Sequence, residues 1–136
     1  MLIEKTSIRA RYCETDQMGH VNNGVYPNWF EVGRTELFRQ LKMPYSEFEK
    51  KGFFMPIVEL HVKFIFPAFY DEIVTVTTMI KELPLTRVVV FYEIHNEKEK
   101  LLVTGETTQV FLDAKTMRPT RIPDFLREDM IRFFAN

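Results

Sequence analysis

The chain predicts an α+β fold in which a curved five-stranded antiparallel sheet wraps around one long central helix, with a further helix at the C-terminal end. Three observations carry this expectation. Apolar residues recur every four positions between 25 and 41, the period of one helix face. From Phe54 the period drops to two, that of a strand. The dimensions also agree: a helix over 24–41 is about 27 Å long at ~1.5 Å per residue, and five strands ~4.8 Å apart make a sheet roughly 24 Å wide. One helix therefore fills the concave side of one sheet.

Residues 3–12 alternate loosely and read as a first strand, ended by the polar cluster that begins at Glu14. Val25, Trp29, Gly33, Leu37 and Leu41 form the helical stripe, while Glu31, Arg34, Arg39 and Gln40 turn elsewhere. Pro27 fits only a first turn, where no N–H partner is lost, so the helix begins close to Asn23. Lys42-Met43-Pro44 ends it, and Ser46 with Glu49 makes a capping-box pattern for a short helix closed by Gly52. In the next strand Val58, Leu60, Val62, Phe64 and Phe66 share one face and Glu59, His61 and Lys63 the other, with the turn at 67–71. Strands follow at 73–83, 87–95 and 101–113, and Pro123 opens a terminal helix whose Leu126, Met130 and Phe133 share a face. The second face of the sheet carries Ile57, Ile65, Val89 and Phe91, too apolar for open water, so subunits are expected to pair as a dimer or tetramer.

Composition removes several function classes. At 136 residues the chain has the length of one domain, assigned to 1–136. Its 18 Lys and Arg against 19 Asp and Glu give a formal net charge of -1, with no broad positive field for nucleic acid. No apolar stretch approaches the ~20 residues that span a bilayer, so no membrane partner is expected. One cysteine, Cys13, allows no internal disulfide, and the first residues lack a signal-peptide core; a cytoplasmic setting is expected. Cys13 itself reads as a buried, inert thiol. His20, His61 and His95 lie on separate elements without ligand spacing, so no metal is expected.

The passage most apt to carry chemistry is 12–34. It sets a carboxylate (Asp16), a glycine turn (Gly19) and an imidazole (His20) directly before Asn22, Asn23 and a helix start. Unpaired N–H groups and the positive end of the helix dipole favour a carbonyl oxygen that gains charge there. A carboxylate beside an oxyanion site is a hydrolase layout. Plainer readings stand alongside. Asp16 either holds its turn by accepting backbone N–H bonds or acts on substrate. His20 orients a water or fills a wall, Asn22 and Asn23 cap the helix, and Glu31 is either a base or the ion-pair partner of Arg34. Tyr26 and Trp29 read as core or pocket wall.

The residues resemble a known family. Tyr12-Cys13-Glu14-Thr15-Asp16-Gln17-Met18-Gly19, Tyr26-Pro27-Asn28-Trp29-Phe30-Glu31-Val32-Gly33-Arg34 and Pro67-Ala68-Phe69-Tyr70-Asp71-Glu72 are similar to hotdog-fold thioesterases of the 4-hydroxybenzoyl-CoA thioesterase and YbgC-like type. Residues 114–119 and 121–123 resemble that family too. The resemblance implies hydrolysis of an acyl-CoA to a free acid and CoA, on dimers that often pair into tetramers, with no cofactor. Asp16 falls on the family's catalytic aspartate, as base or nucleophile, with His20 beside it and the backbone N–H of Asn23 and Gly24 as oxyanion donors. Tyr26 would border the substrate, and Lys115, Arg118 and Arg121 either meet the CoA phosphates near a subunit boundary or belong to a solvated turn. Gly19-His20-Val21-Asn22-Asn23 is closer to the acyl-carrier-protein thioesterases of plants and bacteria, although an asparagine those enzymes use falls on Met18 here. Acyl-carrier-protein thioesterase and a non-catalytic acyl-CoA-binding protein are therefore the alternatives.

Overall fold

The computed structural model describes residues 1–134; Ala135 and Asn136, part of the expected single domain, lie outside the described residues. Strand β1 (Leu2–Arg9) leads through a single 3-10 turn, Tyr12–Glu14, and a second, Asn23–Val25, into helix α1 (Tyr26–Gln40). Helix α2 (Tyr45–Lys50), the two-residue strand β2 (Phe53–Phe54) and β3 (Ile57–Phe64) follow. The chain continues through β4 (Ile73–Ile80), β5 (Arg87–Asn96), β6 (Leu101–Asp113), the short β7 (Pro119–Thr120) and α3 (Asp124–Ile131). The five long strands lie in the order β1-β4-β5-β6-β3, each pair antiparallel. β2 and β7 extend the two flanks of the far end of β6.

Alternation along β4 and β5 buries Val74, Val76, Thr78, Ile80, Val88, Val90, Tyr92 and Ile94 on one side, and α1 lies over β1 and β4 on that side. Its buried face is wider than the fourfold stripe, adding Tyr26, Phe30 and Phe38 to Trp29, Gly33 and Leu37, because a 3.6-residue period fills a face with more than one row. Glycine sets the distance of approach. A Cβ on Gly33 would lie 2.9 Å from Val76 Cγ1 and against Thr78 Oγ1, and one on Gly105 would fall on the Phe30 ring, which stacks on Tyr92 with centroids 4.3 Å apart. Beyond the end of α1, Phe48 gathers Phe53, Phe111 and Phe125 around it, closed by Leu126 and Met130 of α3.

Several expectations are corrected. β1 ends at Arg9 because Tyr12–Glu14 coils, and β4 ends at Ile80. Ser46 does not cap α2: the helix starts at Tyr45, and the entering residue is Pro44, whose ψ of 152° is the extended one. In β3 a bulge between Ile57 and Glu59 leaves Val58 unpaired. Ile57 therefore joins Leu60, Val62 and Phe64 on the helix side, where Val58 was expected, while Glu59, His61 and Lys63 keep the outer face. That helix side is open at the sheet edge, with Ile57 43%, Leu60 46% and Phe64 49% exposed, because α1 does not reach over β3. Among the described residues no helix is long and apolar enough to cross a membrane.

Candidate active site

Asp16 heads a tight turn. Its Oδ1 accepts the N–H of Met18 at 2.9 Å and of His20 at 3.0 Å, and its carbonyl accepts the Gly19 N–H at 3.0 Å. Gly19 closes the turn at φ +77°, where a side chain would be strained. Around the turn the chain forms a small hairpin: Asp16 N–H donates to the His20 carbonyl at 2.8 Å, and Thr15 bridges Val21. The loop at 67–71 zips onto it, with Tyr70 N–H on the Gly19 carbonyl and Val21 N–H on the Ala68 carbonyl, both at 2.8 Å. The turn-holding reading of Asp16 is thus realised through one oxygen. Its Oδ2 receives no protein donor among the described residues, and the side chain is exposed.

Two residues beyond Val21 the second 3-10 turn begins. Val25 N–H folds back to the Asn22 carbonyl at 2.9 Å, while among the described residues the N–H groups of Asn23 and Gly24 reach no carbonyl outside the turn. Gly24 is exposed, and a Cβ there would meet nothing within 4 Å. Asn23 lies on the arm of the hairpin that returns past Asp16, directly after Asn22, whose N–H meets the Glu14 carbonyl at 2.9 Å.

The remaining candidates divide. The His20 ring stands edge-on to Phe69 with centroids 4.9 Å apart, and its backbone closes the Asp16 turn. Tyr26 lines a recess of about 170 Å³ with Asn23, Phe64, Ile65, Phe66 and Pro67. Its hydroxyl, however, accepts the Ala68 N–H at 3.1 Å and is buried, and that burial raises its pKa; the ring serves as wall rather than polar ligand. Lys115, Arg118 and Arg121 are exposed around the turn that Asp113 holds through the N–H groups of Lys115 and Thr116. That turn is at the wrong end of β6 for its own Asp16. The site lies by Leu102, whose carbonyl takes the Ile65 and Phe66 N–H groups, eleven residues and about 36 Å away at ~3.3 Å per residue.

Arg34 does not pair with Glu31. Its Nη1 donates to Tyr92 Oη at 2.9 Å, and Tyr92 shares a hydrogen bond with Thr107 Oγ1 at 2.7 Å. Arg34, Glu31 and Thr35 line a cleft of about 320 Å³ between α1 and the start of β3. There Gln109 is 4% exposed, with Nε2 on the Met55 carbonyl and Oε1 without a partner among the described residues. Cys13 is exposed, not buried, because it sits on the outer side of the Tyr12–Glu14 coil. Among the described residues no three His, Cys, Asp or Glu side chains gather as a metal site.

Sequence reasoning missed Glu14, a carboxylate only 7% exposed. Burial works to raise its pKa, but the Arg11 N–H, the Trp29 indole and the Arg11 guanidinium outweigh it and hold the value below the ordinary one. A lowered folded-state pKa means that this contribution to stability is complete above the ordinary carboxylate range and is lost as pH falls through the lowered value. Arg11 three residues before Glu14 was the available signal; the partner fifteen residues on, Trp29, was not.

The described geometry is an exposed aspartate whose Oδ1 holds a turn, followed by two amides that, among the described residues, reach no carbonyl outside their own 3-10 turn. Residues 11–130 match the thioesterase-like superfamily. The chain belongs to that superfamily. As a thioesterase-like protein it carries the hotdog fold, its sheet curved around α1. A putative acyl-CoA thioesterase of Bacillus subtilis, YneP, is 35% identical over 119 residues, 88% of this chain and 86% of that one. The chloroplastic acyl-acyl carrier protein thioesterase ATL2 of Arabidopsis thaliana is 33% identical over 123 residues, 88% of this chain and 64% of that one. The structure of a DHNA-CoA thioesterase from Staphylococcus aureus superposes with a TM-score of 0.90 at 37% identity, covering 99% of this chain and 93% of that one.

Proposed function

We propose that this thioesterase-like chain hydrolyses an acyl-CoA to a carboxylic acid and CoA, with the free Oδ2 of Asp16 as general base for water or as nucleophile. The N–H of Asn23 or Gly24 would take the carbonyl oxygen as it gains charge. The observation that carries this reading is the division of labour at Asp16: Oδ1 holds the turn and Oδ2 is left free. The chemistry needs little more. A leaving thiol of pKa about 8.5 departs largely as thiolate without a strong acid, and one aimed backbone donor is worth roughly 3 to 4 kcal/mol. His20 contributes its backbone to the Asp16 turn and its ring to the wall. The test is a hydrolysis panel of short, long and aromatic acyl-CoAs beside acyl-carrier-protein thioesters, read by thiol release. Turnover on the CoA series is expected. Turnover confined to the carrier series would favour the activity in the name of ATL2, and binding without turnover on either would make the chain a binder.

The same reading places the working unit in a homo-oligomer, in a reducing, cytoplasmic setting that an exposed thiol at Cys13 favours. Ile57, Leu60, Phe64, Ile65 and Phe66 leave an apolar edge uncovered beside the recess at Asn23, and a second copy is the occupant that would bury it. It would also bring Lys115, Arg118 and Arg121 of one subunit within reach of the thioester site of another. Light scattering is expected to give a dimer or a tetramer, and Leu60→Glu with Phe64→Glu to give monomers with at least ~10-fold lower turnover. Fully active monomers would refute the shared site.

A further inference from the structure

We propose that Glu14 is a positioning residue for this hydrolysis, its carboxylate coupling the loop that carries Asp16 to the helix whose entrance supplies the oxyanion amides; this rests on the catalytic reading above. Beside the Arg11 guanidinium, whose Nε lies 3.4 Å from Oε1, three bonds at Glu14 tie the site together. Oε1 accepts the Arg11 N–H at 2.8 Å, where the chain leaves β1. Oε2 accepts Trp29 Nε1 at 2.9 Å, on the first turn of α1. The Glu14 carbonyl accepts the N–H of Asn22, the residue before the open amides, at 2.9 Å. Trp29 is itself fixed: it is 2% exposed and stands edge-on to Tyr26, whose hydroxyl reaches the loop at Ala68.

Among the described residues, Glu14–Trp29 is the one side-chain hydrogen bond joining the 11–22 loop to α1. Asp16 lies two residues along the hairpin, and Asn23 follows Asn22 directly, so a shift at Glu14 changes the spacing between base and oxyanion donor. Glu14 is buried behind the hairpin, so its effect passes through Asp16. Both oxygens face N–H donors, which makes the site selective for a carboxylate: glutamine would turn its NH2 against either the Arg11 N–H or the Trp29 indole. Misplacing a reacting group by about 1 Å is enough to slow catalysis ~100-fold.

The test measures kcat, KM and Tm for Glu14→Gln, Trp29→Phe, Asp16→Asn and the pairwise doubles on the best acyl-CoA. Glu14→Gln is expected to lower kcat about 10- to 100-fold with KM within about twofold of wild type. Trp29→Phe, which takes the donor from Oε2, should match it, and the double should fall no further than the worse single, because both break one coupling. In the Asp16→Asn background, Glu14→Gln should change kcat less than about twofold. A lowered Tm with unchanged kcat, or a full additional loss on top of Asp16→Asn, would overturn the positioning role. Should Glu14→Gln not fold, Trp29→Phe carries the same comparison. An Asp16→Asn enzyme with wild-type kcat would overturn the catalytic reading and this role together, whereas a normal Asp16→Asn loss beside an unaffected Glu14→Gln overturns this role alone.

Discussion

Asp16→Asn is expected to lower kcat by about 10²- to 10⁴-fold, the range of general-base help, which at ~1.36 kcal/mol per tenfold is roughly 3 to 5 kcal/mol of transition-state stabilisation. The geometry makes this substitution unusually clean. Asparagine keeps the Oδ1 that accepts the Met18 and His20 N–H groups, so the turn survives, and it replaces only the unclaimed Oδ2 with an NH2 that can neither take a proton from water nor attack a carbonyl. Tm and acyl-CoA affinity should therefore stay near wild type while turnover collapses. Asp16→Ala offers the contrast: it removes Oδ1 as well, and with it two N–H bonds to a carboxylate, so it should also lose roughly 1 to 3 kcal/mol of stability. Wild-type turnover in Asp16→Asn would show that another group activates the water.

Elements with a strong period were legible in the sequence, and so was the turn chemistry of the site. The helix expected over 24–41 followed from its repeat and from Pro27 and is found at Tyr26–Gln40, and the turn from Asp16 to Gly19 followed from what a short carboxylate side chain and a positive φ each require. What escaped was decided by tertiary contact. A one-residue bulge at Val58 exchanges which neighbour faces the helix, and a period of two cannot signal it. Local spacing paired Arg34 with Glu31, but Tyr92, on a strand 58 residues away, is the partner. Glu14 reads as one more polar residue in a loop until Trp29 is folded against it. The basic turn at 115–121 shows the same limit from the other side: its charge is plain in the sequence, while its separation from Asp16 within one chain is set by the length of β6, which local pattern does not give.

The largest loss of stability is expected from Gly33→Leu. Gly33 is where α1 crosses closest to the sheet, and a Cβ there already lies 2.9 Å from Val76 Cγ1 and against Thr78 Oγ1. Neither neighbour can withdraw, because both are fully buried on β4, which is hydrogen-bonded to β1 on one side and β5 on the other. Two effects compete. Any ordinary residue gains up to ~1 kcal/mol of helix propensity over glycine, whereas overpacking a closed interior costs about 1–3 kcal/mol and more as the side chain grows. For Gly33→Ala the Cβ clash already outweighs the propensity gain, with a net loss of about 1 kcal/mol. For Gly33→Leu packing wins by about 3 kcal/mol, a fall of roughly 10 °C in Tm for a chain of this size. Gly24→Ala is the matched control, since its Cβ meets nothing within 4 Å, and its stability should stay within ~0.5 kcal/mol of wild type. If Gly33→Leu melted with the control, α1 could lift from β4 without penalty, and the entrance amides it carries would have no fixed place relative to Asp16.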